Sequence, residues 1–568
     1  MPLPHLIDSR RLTGPSLLLS RPGAIIEVEP PAESMGQLVT LWRRYLRGLH
    51  QRLRWQREEI ATRKLGPNAM LAATAPVDLL MLATYMNEWA WEAALAHLHG
   101  ERYESVTDAA ERYARRARRQ ANLPLRRLYR QAWRRNVQLQ MGDDLSLGEG
   151  SRAQVWSFDE APDPTEVDFQ PFRHWVPTAI VTGTNGKTTT TRMLAKILNA
   201  AGHRTGFCST DVVQIGDEVI DRDDYSGPGG ARAVLRHPAT TAAVLETARG
   251  GLLRRGLQAR LADVGIVTNV GEDHLGDLGI HTVEQLAEVK FLIRLGLARG
   301  APMVVNAEDV HCRRHARRLD GPVIWFAPQP PSAAVLRGTR RPWGLATVRD
   351  GRLCIERARR RIDLLAVEEI PACHGGSARH NVANALAAAA AALVMGAPVE
   401  AIRSGLASFG SSPLDNPGRA NVFHIGGATV LMDFGHNPEG LRAVFEIAAK
   451  LPRQRLLVSF GQAGDRTDTA IAELADVLAD QQPDRVLVKA LTKYARGRDP
   501  AEVPRILLQR LLERGLQAAQ LQQVDGEHEA VSAALDWLQP GDLAVLFVHG
   551  YIDQINAQLA ELAGQPAA

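Results

Sequence analysis

The sequence predicts an α/β protein with parallel sheets, a central domain of phosphate-loop type, a C-terminal Rossmann-like domain, and a separate Arg-rich, mostly helical region at the start. Three observations predict it. A short apolar, β-branched run, "AIVTG", passes through a glycine turn directly into a periodic helix. Apolar strands then alternate with helical stretches up to the C-terminus, the pattern of βαβ units. Before that turn, arginines, tryptophans and leucines recur at helical spacing.

The first region is taken as 1–165. Its helices read from "LVTLWRRYLRGLHQRLRWQREEIATRKL" and "ERYARRARRQANLPLRRLYRQAWRRNVQ", with Pro124 marking a break. An acidic, proline-rich stretch, "DEAPDPTEVDFQPF", has no helical period and reads as a linker. The central domain, 166–411, takes strands from "AAVLETA", "VGIVTNV", "PMVVNA" and "PVIWFA", and nears its end in the alanine-rich helix "NALAAAAAALVMG". The third domain, 412–568, takes strands from "ATVLMDF", "RLLVSFG", "DRVLVKA" and "DLAVLFV".

Composition narrows the function classes. Hydrophobic residues at 45% and charged ones at 23% are those of an ordinary globular protein, too long at 568 residues for one domain. A net charge of +4 makes the whole chain no polycation, and no nucleic-acid motif accompanies the basic helices, so no nucleic-acid partner is expected. These helices read as a solvated face, with a peptide platform or a homo-oligomer interface as alternatives. No apolar run reaches about 18 residues, so no membrane span is expected. The opening "MPLPHLIDSRRLTG" lacks a signal-peptide core, and Cys208, Cys312, Cys354 and Cys373 form no C-x-x-C pair. The expectation is a cytoplasmic protein with free thiols.

The candidate site begins at "TGTNGKTTTT", 182–191. The usual phosphate loop is G-x-x-x-x-G-K-[ST]. Here Val181 stands where the first glycine belongs, and Gly183 comes two residues later. Strand, glycine turn and helix nevertheless occur in the order the chemistry needs. Backbone N–H groups of Thr184, Asn185, Gly186 and Thr189 can face phosphate oxygens at a helix N-terminus. Lys187 can reach the terminal phosphates, and Thr188 can hold Mg2+. Ligands of open parallel sheets bind beyond the carboxyl ends of strands. Glu246 stands at such an end, either as a metal carboxylate or as a solvated acid. Asp273 and His274 follow the next strand, and sharing that edge with the loop makes His274 a metal-ligand candidate. By position alone, Lys290 on "TVEQLAEVKFLIRLGL" reads as a surface lysine.

The ordered set "TGTNGKTTT", "ETARGG", "NVGEDHLG", "AEVK", "ARHNVANALAA", "NPGR" and "DFGHNP" resembles the Mur ligase superfamily over roughly 170–560. That superfamily includes the peptidoglycan amino-acid ligases, folylpolyglutamate synthetase and cyanophycin synthetase. "AAVLETARGGLLRRGL" and "SARHNVANALAAAAAA" are similar in style to the Mur-type half of the last. Its ATP-grasp domain has no counterpart between the first region and the loop. The family's loop also lacks the first glycine, so the resemblance accounts for Val181.

The resemblance implies an ADP-forming ligase that activates a peptide or amino-acid carboxylate as an acyl phosphate and joins it to an amino-acid amine. Lys187 and the loop would hold the γ-phosphate. Thr188 and Glu246 would ligate one Mg2+. His274 and Lys290, the latter carrying a CO2-derived carbamate, would ligate a second. Asn381 and Asn384 match the adenine-side motif, Arg419 the arginine reaching the nucleotide, and Asp433 an aspartate near the ribose, with His436 and Asn437 completing "DFGHNP". Phe434 and Gly435 depart from the family's D-Y-A-H-N-P. Arg249, Arg466, Arg496 and Arg498 are candidates for gripping substrate carboxylates. Cyanophycin-related metabolism is the expected setting. A poly-γ-glutamate or folylpolyglutamate-type ligase, or a non-catalytic nucleotide-binding regulator, is the alternative.

Overall fold

The strand Thr178–Thr182 is all buried, as five residues with apolar or β-branched side chains on both faces of a covered parallel sheet should be. Ala242–Glu246 and Val264–Val267 pair with it in parallel on either side. Register places Glu246 opposite Val181 and Val267 opposite Thr182, so all three strands end level with the glycine turn. Met303–Asn306 and Val323–Ala327 extend the sheet in parallel. Antiparallel strands close both edges of what is an eleven-stranded sheet. The computed structural model describes residues 5–173, 175–273, 275–410 and 412–564.

The helix Lys187–Ala200 turns Met193, Leu194, Ile197 and Leu198 into the core at 0% exposure. Against it lies Arg379–Val394, whose alanines 387–392 are all fully buried. Small side chains let this helix lie close to its neighbours, so a run with no amphipathic stripe is a core helix. A second sheet of six strands carries the C-terminal part. Ala428–Asp433, Leu543–Phe547, Leu456–Phe460, Arg485–Lys489 and Leu521–Val524 run parallel, and Asn421–Ile425 pairs antiparallel at the edge.

The first region differs from its expectation: it is not mostly helical. A four-stranded antiparallel sheet, made of Leu6–Leu12, Gly23–Val28, Asn68–Thr74 and Ile60–Leu65 in that spatial order, forms one layer. Helices Met35–Arg52 and Leu80–His99 cover it. Asn68–Thr74, "NAMLAAT", is rich in helix formers, but it is buried along its whole length and packing overrides propensity. The arginine-rich helices Val106–Gln120 and Leu123–Arg135 are present.

The acidic, proline-rich stretch is not a free tether either. Phe169 and Phe172 are buried with Leu125, Leu128, Val137 and Leu147. Glu149 accepts the N–H of Val176 at 2.8 Å, so the region joins the central domain through packed chain. Among the described residues no helix is long and apolar enough to cross a membrane.

Candidate active site

The glycine turn explains its own spelling. Gly183 has φ of 157°, and a Cβ there would fall 1.7 Å from Thr268 Oγ1. Gly186, at φ of 80°, would put a Cβ 2.3 Å from Asn384 Oδ1. Glycine is therefore required at 183 and 186. Position 181 is still buried strand, where Val181 packs and a glycine would only weaken the sheet.

The turn is held from the neighbouring strand end. Thr184 N donates to Asn269 O at 3.0 Å, Asn185 N to Asn269 Oδ1 at 2.8 Å, and Thr268 Oγ1 to Asn185 O at 2.6 Å. Lys187 Nζ folds back on Thr184 O at 2.8 Å. Thr188 Oγ1 donates to Glu246 Oε2 at 2.9 Å and lies 3.2 Å from Thr210 Oγ1. Glu246 is 1% exposed, and its other oxygen, Oε1, is buried with no hydrogen-bond partner. Burial raises its carboxyl to about 7, against the pull of Lys187 and Thr188. A desolvated carboxylate with a spare oxygen beside a threonine hydroxyl fits a hard divalent cation, which takes oxygen ligands.

Lys290 ends the helix Val283–Lys290 and is 3% exposed. Its Nζ donates to Gly183 O at 2.6 Å, from the protein side of the turn. Burial, and next the charge of Lys187, lower its ammonium to about 7, so a large fraction is neutral amine at neutral pH. His274 lies outside the described residues.

A cavity of about 480 Å³ opens over the turn. Thr184, Asn185, Gly186, Lys187, Thr188, Thr189, Glu246, Asn381, Asn384, Arg419, Asp433 and His436 all line it. Asn384 Nδ2 donates to Asn381 Oδ1 at 3.1 Å, and Asn381 Nδ2 to Ala372 O at 2.8 Å, fixing both amides at the start of the alanine helix. Arg419 stacks its guanidinium 4.4 Å from the Phe434 ring centre, so in place of a tyrosine hydroxyl Phe434 presents a face for a cation. Asp433 accepts the N–H groups of Gly435 and Ala420 at 2.7 and 2.8 Å. Burial raises its carboxyl despite Arg419.

Two amides join the domains at this point. Asn437 caps the helix Pro438–Ala448 through Gly440 N at 2.8 Å. It exchanges hydrogen bonds with Asn185 of the turn, at 2.9 and 3.2 Å.

The arginine candidates fall elsewhere. Arg249 donates to Asp277 Oδ2 at 2.6 Å, and Arg466 bridges domains to Asp273 at 2.7 Å. Arg498 directs its donors at Gly464 O, Arg466 O, Asp468 and Glu502, which makes it a pin for its own loop. Arg496 is exposed, with φ of 52°.

Sequence reasoning missed Thr210 and Asp211. Asp211 pairs with Arg192 at 2.6 Å. Burial pushes its carboxyl up, but Arg192 and Ser209 outweigh this and hold it below the usual range. The two residues follow the strand Thr205–Cys208, so the strand-end rule that selected Glu246 applies to them too. Asn269 and Glu439 were also missed. Both line the cavity, Asn269 from the end of the strand Val264–Val267 and Glu439 from the C-terminal domain.

Two family models match the chain: "Mur ligase middle domain" over 181–392 and "Mur ligase, glutamate ligase domain" over 418–549. Cyanophycin synthetase of Crocosphaera subtropica is 37% identical over 372 residues, 66% of this chain and 42% of that protein. That of Synechocystis sp. is 38% identical, with the same coverage. A UDP-N-acetylmuramoyl-L-alanyl-D-glutamate 2,6-diaminopimelate ligase of Brucella melitensis is 28% identical over 65% of this chain and 72% of its own. The chain thus spans less than half the length of the cyanophycin synthetases it matches. A pseudomurein peptide ligase type C from Methanothermus fervidus is 18% identical, with a TM-score of 0.47 over 70% of this chain and 80% of that one.

Proposed function

The chain belongs to the Mur ligase family, and from that premise we propose that it is an ATP-dependent amide ligase. It joins a peptide or amino-acid carboxylate to an amino-acid amine, and similarity to the cyanophycin synthetases supports cyanophycin-related metabolism as the setting. The observation that carries the reading is Glu246, a fully buried carboxylate with one unpaired oxygen beside Thr188 at the mouth of the turn. A module that only held a nucleotide would have little use for so costly a group.

In the first step a substrate carboxylate oxygen attacks the γ-phosphorus of ATP. An O–P bond forms, the β–γ bridging O–P bond breaks, and ADP leaves. In the second step the amine nitrogen attacks the acyl carbon. A C–N bond forms, the C–O bond to phosphate breaks, and the departing phosphate takes up the proton that the nitrogen loses. Lys187 swings from Thr184 O to the phosphates, and the N–H groups of Gly186 and Thr189 bind their oxygens, those of Thr184 and Asn185 being committed to Asn269. Thr188 and Glu246 would hold Mg2+, which would supply positive charge to offset the negative charge developing in transfer.

The neutral fraction of buried Lys290 can capture CO2 as a carbamate, an anion that with His274 would hold a second ion. Asn381 and Asn384 face the base, and Arg419, Asp433 and His436 close the nucleotide from the C-terminal side. We assign 166–411 as the ATP-binding domain and 412–568 as the amino-acid domain, with 1–165 as an accessory domain. The test is phosphate release from ATP screened over amino acids and short peptides. Release that needs an added amine supports the ligase, and release or binding indifferent to every amine overturns it.

A further inference from the structure

We propose that the N-terminal sheet domain is a positioning part of the active site, with Arg10 setting the helix that follows Glu246 and Arg63 the helix that carries Lys290; this rests on the ligase reading above. The helix Arg249–Arg255 begins three residues after Glu246 and has seven residues. So short a helix cannot hold itself, and its last carbonyls need outside donors. The N-terminal segment supplies them. Arg10 Nε donates to Leu253 O at 3.0 Å, and Thr13 N to Arg255 O at 2.8 Å. Leu257 N returns a bond to Pro15 O at 2.8 Å. The approach is close enough that a Cβ at Gly14 would lie 1.9 Å from Leu257 O. Arg10 is 9% exposed, paired with Asp8, and places a cation at the negative end of the helix.

The same sheet reaches the other element. Arg63, on the strand Ile60–Leu65, pairs with Glu288, two residues before Lys290. Leu65 and Met70 pack against Gly279, just ahead of that helix, where a Cβ would meet each at 3.0 Å. One sheet thus holds both the helix that follows Glu246 and the last turn of the helix that ends in Lys290, and these two residues meet the phosphate turn through Glu246 on Thr188 and Lys290 on Gly183. Arg10 and Arg63 touch no substrate; they act through the helices.

The test uses the full chain with Arg63→Glu, Glu288→Arg and the two together, and separately Arg10→Met and Arg10→Lys. Misplacing a catalytic group by an ångström or less costs about tenfold or more in rate. Each single charge reversal is therefore expected to lower kcat about tenfold, with KM for ATP within about twofold, and the double reversal to restore most of the rate. Arg10→Met is expected to weaken the Mg2+-dependent part of ADP binding, read with a fluorescent ADP, by about fivefold while leaving Mg2+-free binding intact; Arg10→Lys restores part of it. Single reversals with wild-type kcat, or a double no better than the singles, would overturn the proposal. If the wild-type chain releases no phosphate with any amine, the ligase reading falls. Positioning is then judged by the Mg2+-dependent ADP affinity of the same variants, where equal values across all of them count against it.

Discussion

Replacing Glu246 by glutamine should make the ligand-free protein more stable and the enzyme nearly inactive. Glutamine keeps the shape and can still accept from Thr188. It removes a charge that the fold dislikes. Burial moves the Glu246 carboxyl from its ordinary 4.5 to about 7, which at about 1.4 kcal/mol per pH unit is about 3 kcal/mol. The sign follows from linkage. A carboxyl raised in the folded state favours folding fully below pH 4.5, and that advantage is lost as pH climbs through about 7. Glu246→Gln should therefore match the parent near pH 4.5 and exceed it at pH 8 by up to about 3 kcal/mol. Mg2+ with ADP should shrink the difference, because the cation offsets the buried charge only in the parent. Denaturation followed at pH 4.5, 6 and 8, with and without Mg2+ and ADP, reads all of this. A variant less stable than the parent at pH 8 without ligand, or one stabilised equally by Mg2+, would refute the reasoning.

Lys187→Ala should lower amine-dependent phosphate release about a hundredfold or more, since it removes the cation at the transferring phosphate; near-parental turnover would exclude the turn as the phosphate site. Lys290→Ala should be inactive and be partly rescued by formate or acetate but not by small amines, as expected if the missing group is an anion. Rescue by amines alone would sink the carbamate assignment. Phe172→Ala should destabilise the chain by about 3 kcal/mol, because it empties a packed site between the first region and the linker. An unchanged unfolding midpoint would mean that the linker is not part of the fold. Cleavage at 165 should leave a 166–568 fragment that has lost both the Arg10 and Arg63 contacts, and its kcat should fall more than its affinity for ATP. A fragment with parental kcat would leave the N-terminal domain as a peptide platform or an oligomer interface.

Much of the fold was legible because its signals are local. Apolar runs of four or five residues bounded by glycine or asparagine marked the strands at 178, 264, 303 and 323, and the order of strand, turn, lysine and helix marked the turn that we assign to the phosphates. The N-terminal sheet was not legible. "NAMLAAT" and "IATRKL" look like helix by composition, and only the layer of helices over them makes them strands. Within the site, residues on strand ends or in the turn could be found from sequence. Residues that serve from another domain, such as Arg10, Asn437 on Asn185 or Arg466 on Asp273, carry no local mark of the partner they will meet.

The exchanged hydrogen bonds between Asn185 and Asn437 have a mechanical result. Asn437 caps a lever, the helix Pro438–Ala448, and Asn185 sits in the turn that we assign to the phosphates. The lever cannot swing without tugging the grip, because both bonds would break together. On the ligase reading, opening the cleft and loosening the hold on ADP are thereby geared to one another. The asparagine that starts the lever is also the tooth of that gear.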